Sequence, residues 1–582
     1  MTVDQSPAVE PRKAAPAPDL SPDLSPDLSP GPSPDPDSTG SAPDPDGAGR
    51  AAKETLEDYT LRFAPRSYRR WTPAVVGASA LGGIAYMADF SIGAGIGMTH
   101  GTGNALLSIL LAAAVIFVSG IPLAYYAARY NLDLDLITRG SGFGYYGSVI
   151  TSVIFASFTF IFFATEGAIM AQGLKFALGM PLWAGYALST FLIIPLVIYG
   201  MKALTKLQSW TNPLWIVLIV APLVYVVATE PDSVSRFLSY GGSSGGAGIS
   251  TAAVMLGAGV CLSLMGQIGE QIDYLRFMPP KTEENKRSWW AATLLAGPGW
   301  VVFGALKQTI GVFLAVYVVD AVGVASAVEP IEQFTAAFKQ LMPSWLVVPL
   351  ALLLVVLSQV KINVTNSYSG SLAWTNSYTR VTKHYPGRIV FVLVNLAISL
   401  ILMEANMFAF LNSVLSFYSN CAMAWVVTVA TDIGVNKYVL KLSPKQPEFR
   451  RGMLYAVNPV GVVSFLASSL LSIAVYFGLF GDAVQPYSPL VAVVVAVLLT
   501  PAVAVATKGR YYLRRTDDGI EEPMLNADGN PSAVTYDCGV CAQPFERPDV
   551  LASASGGIIC SLCLTTDRPG THVLPAQPSA SA

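Results

Sequence analysis

The chain has 582 residues, 53% of them hydrophobic and only 13% charged, with a mean hydropathy of +0.50. Such a composition excludes a soluble globular protein, since no soluble core needs so many long apolar runs, and it points to an all-α polytopic membrane protein. The net charge of −3 carries no sign of a nucleic-acid partner; in a lipid-embedded chain, charge is read by its sidedness instead.

Residues 1–52 are rich in Pro, Asp and Ser, contain the tandem run SPDLSPDLSP, and are expected to be disordered. This polar opening does not read as a cleavable signal peptide. Residues 53–72 form a lead-in carrying Arg62, Arg66, Arg69 and Arg70. The apolar stretch 73–507 divides into about twelve spans. Their expected limits are 73–98, 104–128, 148–173, 182–200, 211–229, 249–272, 290–319, 345–375, 387–405, 407–431, 456–479 and 486–507.

Loops after even-numbered spans collect Arg and Lys, among them Arg129, Arg139, Arg276, Lys281, Arg380, Arg388, Lys437, Arg450 and Arg451. The opposite loops carry Glu230, Asp232, Asp320, Glu329 and Glu332. By the positive-inside rule both termini are cytoplasmic, in a multi-pass protein of the cell membrane.

Two spans carry helix-weakening glycines in corresponding places. The first contains YMADFSIGAGIG with Asp89, and the sixth contains GAGVCLSLMGQIGEQID with Gly266 and Gln267. Each glycine costs a helix about 1 kcal/mol. Membranes tolerate unwound backbone only against protein or a wet cavity. Broken helices at positions one and six are what two inverted five-helix repeats of a secondary transporter predict.

The third span places Glu166 one turn beyond Phe162, with Phe155 and Phe158 on the same face. The eighth turns polar after an apolar start: Lys361, Asn363, Thr365, Asn366, Ser367 and Asn376. A lysine at membrane depth costs about 2.5–3.5 kcal/mol, so Lys361 needs a partner charge or a wet cavity. Glu166 and Lys361 are expected to pair or to share a proton.

Residues from about 60 to 510 resemble the nucleobase–cation symporter-1 family, in its purine–cytosine permease branch. The resemblance lies in Asp273-Tyr274-Leu275-Arg276-Phe277, in Gln359-Val360-Lys361-Ile362-Asn363, and in KLQSWTNP from Lys206 with Trp215. It implies a LeuT-like 5+5 inverted-repeat fold and a flat, nucleobase-like substrate imported by alternating access. It also implies third-span contacts from Thr159 and Phe162, sixth-span contacts from Gly266 or Gln267, and eighth-span contacts from Asn363 with Asn366 or Ser367. Sodium-coupled relatives carry small hydroxyl residues where this chain has Lys361 and Ile362. The expectation is therefore proton coupling through Glu166 and Lys361.

Residues 508–535 read as a polar linker, 536–566 as a small module and 567–582 as a disordered tail. Cys538-x-x-Cys541 and Cys560-x-x-Cys563 have the spacing of a structural zinc knuckle with four cysteine ligands. No organic cofactor is expected, and a cytosolic partner of this tail stays open. Two other readings also stay open: a carrier for another solute such as an amino acid, whose ammonium Asp89 would take, and a sensor signalling through the tail. An enzyme is not expected, because His100, His384 and His572 lie at loops or the tail without a nucleophile constellation.

Overall fold

The computed structural model describes residues 61–575 apart from 199, 244–247 and 573. The tail expected over 1–52, the lead-in at 53–60 and the chain beyond 575 lie outside the described residues.

Nine helices among the described residues are long and apolar enough to cross a membrane. They are Thr102–Tyr130, Val149–Leu178, Leu204–Thr229, Thr251–Leu275, Trp300–Ala327, Ser344–Thr382, Leu411–Val439, Pro459–Tyr476 and Gln485–Ala506, corresponding to expected spans two, three, five to eight and ten to twelve. The other three expected spans are present but shorter or interrupted. The first is split into Pro73–Gly82 and Ala88–His100, the fourth breaks at Leu192–Ile193, and the ninth, Arg388–Glu404, has 17 residues. The protein is thus a polytopic helical membrane protein.

The first break spans 83–87, upstream of the glycine run that marked this span as weak. Those glycines serve close packing instead. A Cβ on Gly93 would lie 2.0 Å from the Gln308 carbonyl oxygen, and one on Gly311 would lie 2.2 Å from that of Phe90. The second half of the first span therefore presses backbone to backbone on the seventh, which delivers Lys307 and Gln308 to the break.

The sixth span, expected to unwind at its glycines, is instead helical throughout: an α-helix over Thr251–Leu262, a 3-10 turn over Ser263–Gly266 and an α-helix again over Gln267–Leu275. Its glycines make room for third-span rings. A Cβ on Gly266 would meet Phe158 at 2.5 Å, and one on Gly269 would meet Phe155 at 2.3 Å. The 39-residue eighth span lies along the third, where a Cβ on Gly370 would meet Thr159 Oγ1 at 2.4 Å.

Past the last span, two antiparallel hairpins, Thr535–Asp537 with Pro544–Glu546 and Val550–Ala552 with Ile558–Cys560, lead into the short helix Ser561–Thr565. This module sits against the segment before the first span. Arg62 Nε pairs with Asp549 at 3.1 Å, and Arg69 pairs with Glu546 at 3.0 Å. Both described ends of the chain thus lie at one end of the bundle, as an even number of spans requires.

Stretch 508–535 is tied down along its length. Asp518 takes Arg450 at 2.6 Å and Arg547 at 2.9 Å, and Asn530 Oδ1 accepts from Arg129 at 2.5 Å.

Candidate functional site

The broken first span and the 3-10 turn of the sixth face a buried set of charged side chains. Lys307 of the seventh span reaches into the first break, where its Nζ donates to the carbonyls of Ile84 (2.5 Å) and Tyr86 (3.2 Å). The same ammonium pairs with Asp89 at 2.9 Å and lies 3.7 Å from the Tyr86 ring centre. Gln308 Nε2 donates to the other Asp89 oxygen at 2.8 Å. An unwound turn exposes carbonyls that membrane interior would leave unsatisfied. Here a tethered cation satisfies them, and the carboxylate balances its charge.

Glu166 closes the opposite side of the break. Its carboxylate accepts from the backbone N–H groups of Met87 (3.3 Å) and Ala88 (3.2 Å), the start of helix Ala88–His100. A helix N-terminus carries partial positive charge, so an acid in contact with it is favoured. No ion pair joins Glu166 to Lys361 among the described residues. Lys361 instead turns to the fifth span, donating to Asn212 Oδ1 (2.6 Å), Thr211 Oγ1 (2.8 Å) and the Gln208 carbonyl (3.3 Å). Asn212 in turn donates to the Ala78 carbonyl at 3.3 Å, so Lys361 ties the eighth and fifth spans to the first half of the first.

Phe158 and Phe162 stack obliquely with ring centres 4.5 Å apart, and Phe158 lies against Gly266. Gln267 Nε2 donates to Glu270 at 2.8 Å. Third-span rings and the 3-10 turn of the sixth span therefore come together, with Glu166 one turn on.

The remaining expected contacts sit elsewhere. Thr159 faces Asn395 of the ninth span at 3.2 Å. Asn363 and Asn366, on the eighth span, face the third: Asn366 donates to Asn363 at 3.2 Å, and Asn363 donates to the Phe163 carbonyl at 3.5 Å. Asn366 Oδ1 and Ser367 Oγ, both buried, have no hydrogen-bond partner.

Sequence reasoning passed over Lys307 and Glu270. Lys307 could have been found by the criterion applied to Lys361, a lysine in mid-span. Glu270 lay inside the quoted sixth-span run and carried the same signal, an acid among apolar residues.

In the tail, the four sulfurs of Cys538, Cys541, Cys560 and Cys563 lie within 4.8 Å of one another, with three of the cysteines buried. Tetrahedral thiolates at a zinc–sulfur distance of about 2.3 Å sit roughly 3.8 Å apart, so the cluster has the size of a metal site. The Cys560 N–H points at Cys538 Sγ and the Cys563 N–H at Cys560 Sγ, both at 3.4 Å, as thiolate ligands favour. Where the module meets the bundle, burial pushes the Asp549 carboxyl up to about 6, with Arg62 opposing the shift.

A first span broken around buried charges and a sixth that tightens to a 3-10 turn, in a bundle of membrane-length helices, define the class: this is the LeuT-like fold. Mhp1, described as a nucleobase-cation-symport-1 family transporter in a closed conformation with bromovinylhydantoin bound, superposes with a TM-score of 0.57. The identity is 16%, and the match covers 78% of this chain and all of Mhp1. The inward-facing conformation of Mhp1 gives a TM-score of 0.55 over 80% of this chain and 99% of that one, again at 16% identity. A substrate-bound, outward-open Na+-coupled sialic acid symporter gives 0.48 at 13% identity, covering 78% of this chain and 93% of that one. No protein-family model and no curated protein matches the sequence.

Proposed function

We propose that this chain is a secondary active transporter that imports a flat, uncharged heterocycle of the nucleobase class, driven by protons. The observation that carries the reading is the Lys307 ammonium seated on the Ile84 and Tyr86 carbonyls and on Asp89. A sodium ion needs such oxygens, and here a side chain already holds them. The same pairing disfavours an amino-acid substrate, whose ammonium would compete with Lys307 for Asp89.

The substrate would lie at the Gly266–Gln267 turn against Phe158 and Phe162, where stacking fixes its plane and the Gln267 amide offers both donor and acceptor. Asn363, Asn366 and Ser367 would complete the site after the third and eighth spans part. Thr159 would act through that same contact, while Glu166 and Lys361 hold the first span on either side of its break. The hydantoin bound to Mhp1 is likewise a heterocycle. In the tail, zinc is the metal best suited to four thiolates, held structurally and on the cytoplasmic side, where the basic loops lie.

Uptake of labelled hypoxanthine, adenine and cytosine into proteoliposomes tests the reading, with competition by unlabelled amino acids as the control. Accumulation of a base that amino acids do not displace is the expected result. Accumulation of an amino acid instead would overturn it.

A further inference from the structure

Three acids lie at the centre of the bundle, and two of them are matched. Asp89 has Lys307, and Glu166 has a helix N-terminus. Glu270 has neither, because the sixth span runs helically into it through Ser263–Gly266 and offers no free helix start. It is fully buried, its Oε2 accepts from Gln267, and its Oε1 has no hydrogen-bond partner. No ion pair reaches it among the described residues.

The titratable groups acting on Glu270 are acids or phenols: Glu166 from the third span, Tyr86 from the first break, and Asp273 and Tyr274 of its own helix. The helices Pro73–Gly82, Thr102–Tyr130, Leu134–Thr138, Lys286–Ala296 and Ser344–Thr382, which also pack on this segment, bring no cation to it: Lys361 is turned to the fifth span and Arg380 to Ser148 and Ser152. An ionised carboxylate with no counter-charge is too costly for a dry interior, so the closed site holds Glu270 as the neutral acid.

The geometry points to Glu270 as the group that carries the transported proton. This deepens the proton-coupled reading proposed above and makes closure of the site depend on protonation. Open to water, the carboxylate is solvated and takes a proton to form the O–H; the neutral acid can then be sealed from water. When the opposite side opens, the O–H bond breaks, the proton passes to water, and the carboxylate re-forms in the wet cavity. Asp273, one turn on with Oδ2 unpartnered, continues the route toward the tail end of the bundle. There Asp133 pairs with Arg276 at 3.4 Å.

Two measurements on the full-length protein test this. The infrared spectrum of purified protein at neutral pH should show a protonated carboxylic acid band that loses the intensity of one group in Glu270→Gln. An unchanged band would overturn the assignment whether or not any solute has been identified. In proteoliposomes with labelled hypoxanthine, adenine or cytosine, Glu270→Gln should keep exchange of labelled for unlabelled base. It should lose accumulation driven by a pH gradient at least tenfold and flatten the pH profile. Glu270→Asp should keep accumulation with a displaced profile, and it decides the matter if the glutamine variant does not fold. Wild-type accumulation and pH profile in the Gln or Asp variant would refute the role of Glu270. Failure of the wild type to carry any base would instead refute the transport reading, while the infrared result still decides Glu270.

Discussion

Lys307 and Asp89 lie 2.9 Å apart across the first and seventh spans, both buried, with the first-span break folded over the ammonium. Neither charge is tolerable alone. Removing one partner of a buried pair typically costs about 3–5 kcal/mol, whereas removing both is often close to neutral. Lys307→Met should therefore lower the melting temperature in detergent strongly, as should Asp89→Asn, and the double substitution should recover most of the loss. Additive losses in the double variant would show that the pair does not act as a unit.

Gly266 meets Phe158 so closely that even a methyl group must displace the ring. Gly266→Ala should leave the protein folded and raise the KM for its solute roughly tenfold, about 1.4 kcal/mol of binding. The expected signature is a change in KM much larger than that in kcat. An unaltered KM would place the solute away from these rings.

The cysteine module should fold only with its metal. Purified full-length protein should contain one zinc per chain, and Cys560→Ser should reduce the content severalfold. Chelation should expose the stretch 508–535 to protease. Metal content unchanged by the substitution would remove these four cysteines as the ligand set.

The docked module should respond to pH through Asp549. Burial raises its carboxyl to about 6, above the ordinary value of 3.8, so the docked form binds a proton more readily than the released one. Docking is therefore strengthened as pH falls through 6 and weakened as pH rises through it, by about tenfold between pH 5 and 7.5 from this group alone. Hydrogen exchange at Phe63, whose N–H donates to Asp549 Oδ1 at 3.2 Å, reads the change directly. Protection that increases with pH would contradict the sign.

Much of the fold was legible because a bilayer imposes long apolar runs and punishes loose backbone. A break in the first span was expected from its glycines and Asp89, whereas the sixth, expected to unwind, only tightens to a 3-10 turn. The location of the first-span break was not legible, since Gly93 spends its missing side chain on the seventh span and the helix opens earlier, at 83–87. Partner choice among buried charges was not legible either. Glu166 has an adjacent helix N-terminus, and Lys361 finds three oxygens on the fifth span; neither is visible along the chain. Several basic residues counted as loop charges, including Arg139, Arg276, Arg380 and Arg450, are buried. They bond to acids, carbonyls and side-chain oxygens at the tail-bearing end. Arg380, for example, donates to Ser148 at 2.6 Å and Ser152 at 2.7 Å.

In the proposed transport cycle a tethered ammonium and a proton do the work of a free cation. Its most direct test is uptake of labelled hypoxanthine, adenine and cytosine into proteoliposomes under a pH gradient without sodium and, separately, under a sodium gradient without a pH difference. Accumulation under the pH gradient alone is the expected result. Accumulation only with sodium would contradict it.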